Sequence, residues 1–153
     1  MLDKDACELL DADHLAVKHL FVEYARLAMA APQESAGERA ALAQRICAEL
    51  TVHAQIEEEI FYPALRDAAP DAGALLDEAE AEHQEAKQLI AQIEALGSAD
   101  AQMDDLVAKL AQAIEHHVKE ERTQLFPKAR SAPGLDLAAL GDQLRERQQA
   151  VQA

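Results

Sequence analysis

Four long stretches of this chain carry apolar residues at alternating steps of three and four, and in each one a histidine or glutamate interrupts the stripe. The first runs Cys7, Leu10, His14, Val17, Phe21, Tyr24, Ala28, and the second Ile46, Leu50, His53, Glu57, Ile60, Ala64. The third reads Leu76, Ala79, His83, Ala86, Ile90, Ile93, and the fourth Met103, Val107, Leu110, Ile114, His117, Glu121. Such spacing keeps one stripe per helix facing its neighbours, so it predicts an all-α four-helix bundle. Breakers agree. Pro32, Pro70 and the Gly97-Ser98 pair separate the stretches and predict helices over about 3–30, 36–68, 71–96 and 100–129. Beyond Pro133 and Gly134, the residues Leu135, Leu137, Leu140, Leu144 and Val151 predict a short amphipathic fifth helix. Residues 1–130 then form the bundle, and 131–153 pack on it or extend from it. Capping the bundle is preferred for this helix over mediating a dimer.

The two halves of the chain repeat each other. Asp13, His14 and Lys18 find their counterparts in Glu82, His83 and Lys87; His53, Glu57, Phe61 and Pro63 find theirs in His117, Glu121, Leu125 and Pro127. Two helical hairpins of one pattern therefore pack about a pseudo-twofold axis. Pro63 can kink its helix and Pro127 can end the last one; spacing leaves both open.

Residues four apart on a helix lie one above the other, so His53 with Glu57 and His117 with Glu121 each offer a nitrogen and a carboxylate to one side. His14 and His83 add one nitrogen each. Counting from the breakers at about 1.5 Å per residue puts all four histidines at similar depth. A single histidine on an apolar stripe is usually a hydrogen-bonded core residue. Four of them with two glutamates, in matched repeat positions, need a cation, because buried carboxylates without partners cost several kcal/mol each. The expectation is a two-metal site held by His14, His53, Glu57, His83, His117 and Glu121, with Glu57 and Glu121 able to bridge. Imidazole plus carboxylate suits iron, and also manganese or zinc. His117 is chosen over His116 because only His117 keeps the alignment with His53 and Pro63; spacing alone does not decide. His19 reads as surface. Glu58, Glu59 and Glu120 read first as solvated charge, then as hydrogen-bond partners of the histidines, and Asp13 and Glu82 read as exposed. Lys18 and Lys87 read as shielding the bundle edge, and Ile56, Ile60, Ile114 and Val17 as the apolar surround.

Charge narrows the partners. With 29 Asp and Glu against 14 Lys and Arg, the formal charge is -15, which repels phosphate backbones and anionic lipid, so no nucleic acid and no membrane surface is expected. The opening residues carry neither a basic region nor an apolar one, and no apolar run approaches a membrane span, so a cytoplasmic protein is expected. Cys7 and Cys47 are too few for a cysteine framework and read as reduced packing residues.

The order His14, His53 to Glu57, His83, His117 to Glu121 resembles the hemerythrin-like family, the HHE cation-binding domain, over about residues 10–130. The resemblance implies an up-down-up-down bundle around a non-haem di-iron centre, two iron ions with an oxo or hydroxo bridge. It implies dioxygen binding, iron or oxygen sensing, or roles in nitric oxide chemistry and iron-sulfur repair. The sequence departs from the oxygen carriers at Lys87, where they have a further histidine, and at Glu121, where they have an aspartate five residues after the histidine. That argues against reversible oxygen transport. The leading expectation is a binding protein for a small diatomic or peroxide ligand, as monomer or homodimer with an unidentified protein partner. A di-iron oxidoreductase acting on peroxide, oxygen or nitric oxide, or an iron donor, is the alternative.

Overall fold

A computed structural model describes residues 3–152 of the chain. Among them seven α-helices form: α1 (Ala6–Ala30), α2 (Ala36–Ile56), α3 (Tyr62–Ala68), α4 (Gly73–Glu94), α5 (Ala101–Glu120), α6 (Phe126–Ser131) and α7 (Leu137–Gln152). Because α3 continues α2 and α6 continues α5, they build an up-down-up-down four-helix bundle with a fifth helix outside it. In the bundle α1 packs on α2 and α5, and α4 packs on the same two. The outermost residues of the two expected units, 1–2 and 153, lie outside the described residues.

Local chemistry sets the helix starts. Asp5 caps α1 by accepting from the Glu8 N–H at 2.9 Å, while the Glu8 carboxylate accepts from the Asp5 N–H at 3.1 Å, a reciprocal capping box. Asp100 caps α5 through the Met103 N–H.

The junctions within the second and fourth long helices are both π turns, Glu57–Phe61 and Glu121–Leu125. Proline explains them. Pro63 and Pro127 have no N–H to donate, and their rings crowd the carbonyl four residues earlier; widening the preceding turn by one residue makes room. The Tyr62 N–H accordingly donates to the Glu57 carbonyl, and the Phe126 N–H to that of Glu121. Neither proline ends its helix, and Pro127 is carried within α6 to Ser131.

One extra residue in the turn also moves the buried stripe. Ile60 and Ala64, the sequence's candidates, are half-buried, and Phe61, Tyr62 and Leu65 take the interior. In the other half Leu125 and Phe126 are both buried. Each π turn thus points two consecutive side chains inward just beyond a glutamate.

The core is split by a polar layer. On one side Cys7, Leu10, Ile56, Phe61, Leu76 and Leu125 cluster with Leu140 and Leu144 of α7. On the other, Val17, Tyr24, Ile46, Leu50, Ile90 and Leu110 form a second cluster. Cys7 and Cys47 are free thiols, one per cluster, and burial pushes each up to about 12, which makes them inert packing residues.

Helix α7 lies along α1 and α2. Close approach requires glycine at its contact with the start of α1, since a Cβ on Gly141 would sit 2.7 Å from the Lys4 carbonyl oxygen. Arg145 donates to that same carbonyl at 2.7 Å, and Arg147 to Glu59 at 2.7 Å.

Candidate metal centre

All six residues singled out by spacing lie in the polar layer. Glu57 and Glu121 are wholly buried, and His14, His53, His83 and His117 are 5 to 8% exposed. The imidazoles form two pairs, His14 with His53 and His83 with His117, each with ring centroids 4.8 Å apart. His117 points inward, while its neighbour His116 lies on the surface, as does His19.

The carboxylates sit between the pairs. Glu57 Oε1 lies 3.2 Å from His53 Nε2, 3.2 Å from His83 Nε2 and 3.8 Å from His117 Nε2. Glu121 Oε1 lies 2.9 Å from His14 Nε2 and 3.5 Å from His117 Nε2. Two groups of donors converge within 4.8 Å: His14, His53, Glu57 and Glu121, then Glu57, His83 and His117. Glu57 belongs to both.

Every imidazole presents Nε2 to this centre because Nδ1 is occupied by a carboxylate. Asp11 lies 3.4 Å from His14 Nδ1, Asp13 3.1 Å from His53 Nδ1, Glu58 2.9 Å from His83 Nδ1 and Glu82 2.8 Å from His117 Nδ1. This partner fixes the orientation of the ring and the nitrogen that it turns inward. Asp13 and Glu82, read from sequence as exposed, instead serve the histidine of the adjacent helix, since a residue one step before a core histidine is turned about 100° toward that neighbour. Gln148 of α7 donates to Asp13 at 2.9 Å, so the fifth helix reaches the support of the site. Asp11 gave no signal in the repeat.

The halves differ at that point. Glu58, which holds His83, corresponds to Arg122 in the second half, and a guanidinium cannot accept from an imidazole. Asp11 takes over on His14, and Arg122 donates to Asp11 at 2.5 Å.

Tyr62 was missed as a site residue. Its hydroxyl donates to Glu121 Oε2 at 3.0 Å and lies 3.3 Å from both His83 Nε2 and His117 Nε2. Nothing in an apolar stripe distinguishes a tyrosine that packs from one that donates, and only the π turn brings it inward. Burial, with the charges of Glu57 and Glu121, holds its phenol well above the usual range.

The electrostatics are those of buried imidazoles and carboxylates crowded into one layer. Burial lowers the His53 imidazole, yet the Glu57 charge and the Asp13 contact outweigh it and raise the group to about 10. Burial opposes ionisation of Glu57 as well, but His53 holds it well below the usual carboxylate range. Burial and the Glu57 charge push Glu121 up. Five buried atoms still lack a hydrogen-bond partner among the described residues: His14 Nε2, His53 Nε2, both oxygens of Glu57 and Glu121 Oε1. Short contacts without hydrogen-bond alignment, on atoms that converge, fit donors aimed at cations between them.

A cavity of about 30 Å³ adjoins the four histidines, walled by Leu50, Ala54, Ala86, Ile90, Ile114 and Val118. Of the expected apolar surround only Ile114 lines it; Val17 packs in the second cluster, and Ile56 and Ile60 in the first. On the outer face of α4 and α5, Glu78, Glu82, His116 and Glu120 form a surface group, where burial and Glu82 raise Glu120 to about 6.

A helical bundle with imidazole and carboxylate donors converging in its core defines a metal-binding protein. The chain belongs to the hemerythrin family, whose HHE cation-binding domain model matches residues 5–129. It is similar in structure to a hemerythrin HHE cation-binding domain-containing protein from Mycobacterium kansasii, with a TM-score of 0.76 and 25% identity over 97% of this chain and 88% of that one. It is also 35% identical over 89 residues, 57% of its length, to a DNA nickase from Nostoc sp., of which the match spans only 24%. No helix among the described residues is long and apolar enough to cross a membrane.

Proposed function

We propose that the chain holds two iron ions and binds or senses a small ligand such as dioxygen, nitric oxide or peroxide. The observation that supports this most strongly is the set of four imidazoles, each pinned at Nδ1 by a carboxylate and each directing Nε2 toward two wholly buried glutamates. His14 and His53 would hold one ion, His83 and His117 the other, with Glu57 and Glu121 shared. Manganese or zinc would satisfy the same donors, and iron is favoured by the family. Bound iron would supply open coordination positions and redox capacity; the chain supplies ring orientation, charge balance and the apolar cavity.

That cavity is large enough for a diatomic molecule and lined mainly by aliphatic carbon, which favours a small uncharged ligand over a hydrated anion. The second reading, turnover of peroxide, oxygen or nitric oxide, draws on Tyr62, whose hydroxyl is kept protonated by burial and donates to Glu121 at 3.0 Å within the donor layer. The activity that names the Nostoc protein does not fit this chain, whose charge of -15 repels a phosphate backbone.

Titrating the iron-loaded protein with nitric oxide and with peroxide, while following absorbance and product, tests the reading. A stoichiometric spectral change without product supports binding or sensing; repeated turnover supports the oxidoreductase. No change with either ligand overturns both.

A further inference from the structure

The pseudo-twofold axis relates the groove between α1 and α5 to the groove between α4 and α2, and the two differ. Between α4 and α2, Lys87 donates to Glu58 at 2.8 Å, and the space beneath is the cavity of about 30 Å³. Between α1 and α5 the groove is open and has a volume of about 530 Å³, within the range of roughly 300–1,000 Å³ typical of small-molecule sites.

Substitution at matched positions accounts for the difference. Lys18 corresponds to Lys87, but its partner's place is taken by Arg122 instead of a glutamate. Lys119 stands where the other half has Gln55. Three cations therefore line one groove, with Glu115 the single acid among its lining residues, in a chain of net charge -15. Arg122 is engaged by Asp11, whereas Lys18 and Lys119 form no ion pair among the described residues.

Apolar surface runs along the same groove. Leu15 is 48% and Val22 59% exposed, two of the three large hydrophobic residues exposed among those described, and Phe21, Ile114 and Val118 continue the lining inward to His14. Exposed apolar surface beside unpaired cations marks a binding face for something that is apolar and negative.

We propose that this groove binds a small amphipathic anion, an acid group on an aliphatic body. The acid would meet Lys18 and Lys119 in the role that Glu58 plays for Lys87, and the body would cover Leu15, Phe21 and Val22. A second copy of the chain is disfavoured as occupant: a twofold contact would set this cationic face against itself, between chains of like net charge. The inference does not rest on the metal reading.

The test is calorimetry of decanoate, decanol and decyltrimethylammonium, below their micelle concentrations, with the full chain both before and after iron loading. Backbone amide NMR shifts locate the binding. Decanoate is expected to bind best and the cation worst, with shifts confined to α1 and α5. The Lys18→Gln, Lys119→Gln double variant, with an unchanged circular dichroism spectrum, is expected to weaken decanoate about tenfold or more and leave decanol unaffected. A second variant, Ala111→Trp, fills the groove and is expected to abolish both. Equal binding of all three amphiphiles, shifts elsewhere or no binding overturns the proposal. So does concentration-dependent dimerisation that shifts the same amides without ligand, which would assign the face to a second copy.

Discussion

Tyr62 and Phe126 occupy matched positions in the two halves of the chain, yet the Tyr62 hydroxyl donates to Glu121 at 3.0 Å while the Phe126 ring stacks 6.1 Å from His14. The two halves of the centre are therefore unequal. One pair of imidazoles faces a phenol and the other a phenyl ring.

Removing the phenol should separate support of the site from its assembly. Tyr62→Phe is expected to lower the stability of the metal-free chain by about 1.5–3 kcal/mol, the value of a hydrogen bond to a charged group, with metal content unchanged. Urea unfolding and metal analysis of the same preparation check both halves of that expectation.

The carboxylates behind the histidines are expected to tune affinity. Glu82→Gln and Asp13→Asn each weaken metal binding about 10–100-fold, because each replaces the charged acceptor that orients an imidazole by a weaker, neutral amide oxygen. Competition with a chelator of known affinity measures it. Glu59→Gln, whose carboxylate meets Arg147 and touches no histidine, is expected to change nothing.

The charge state of His53 gives a pH signature. In the folded, metal-free chain this group is raised to about 10 from 6.5, so its stabilisation is complete below pH 6.5 and is lost as pH rises through about 10. Metal binding needs the neutral imidazole and releases its proton, so affinity rises across the same interval. Urea midpoints at pH 7 and pH 10 should fall for metal-free protein and hold for loaded protein; a metal-free midpoint that rises contradicts this.

Docking of α7 depends on one missing methyl group. Gly141→Ala places a Cβ against the Lys4 carbonyl and is expected to cost about 1–3 kcal/mol, the usual penalty of overpacking. Hydrogen exchange should then accelerate in α7. Loosening of Gln148 from Asp13 should also weaken metal binding, and unchanged affinity would separate the fifth helix from the site.

The bundle was legible because its apolar stripe is periodic and its breakers are few. Of the fourth stripe, Met103, Val107, Leu110, His117 and Glu121 are buried as expected, and Ile114 is half-buried. The six polar residues were legible as a set because each breaks a stripe at a matched position. What escaped depends on geometry that spacing does not carry. The π turns were invisible, since a proline ten residues after a histidine is compatible with a kink, a stop or a widened turn. Once the turn is widened, Tyr62 faces the interior and Ile60 moves to its edge. Asp13 and Glu82 looked exposed on their own helices, and only the packing of neighbours turns them toward His53 and His117.

Metal content per chain, measured on protein purified without added metal and again after anaerobic iron loading, tests the central claim most directly. The wild-type chain is expected to hold two ions, Glu57→Ala and His117→Ala to lose most of both, and His19→Ala and His116→Ala to keep them. One ion or none in the loaded wild type, or equal loss in all four variants, would contradict a two-metal centre built from these residues.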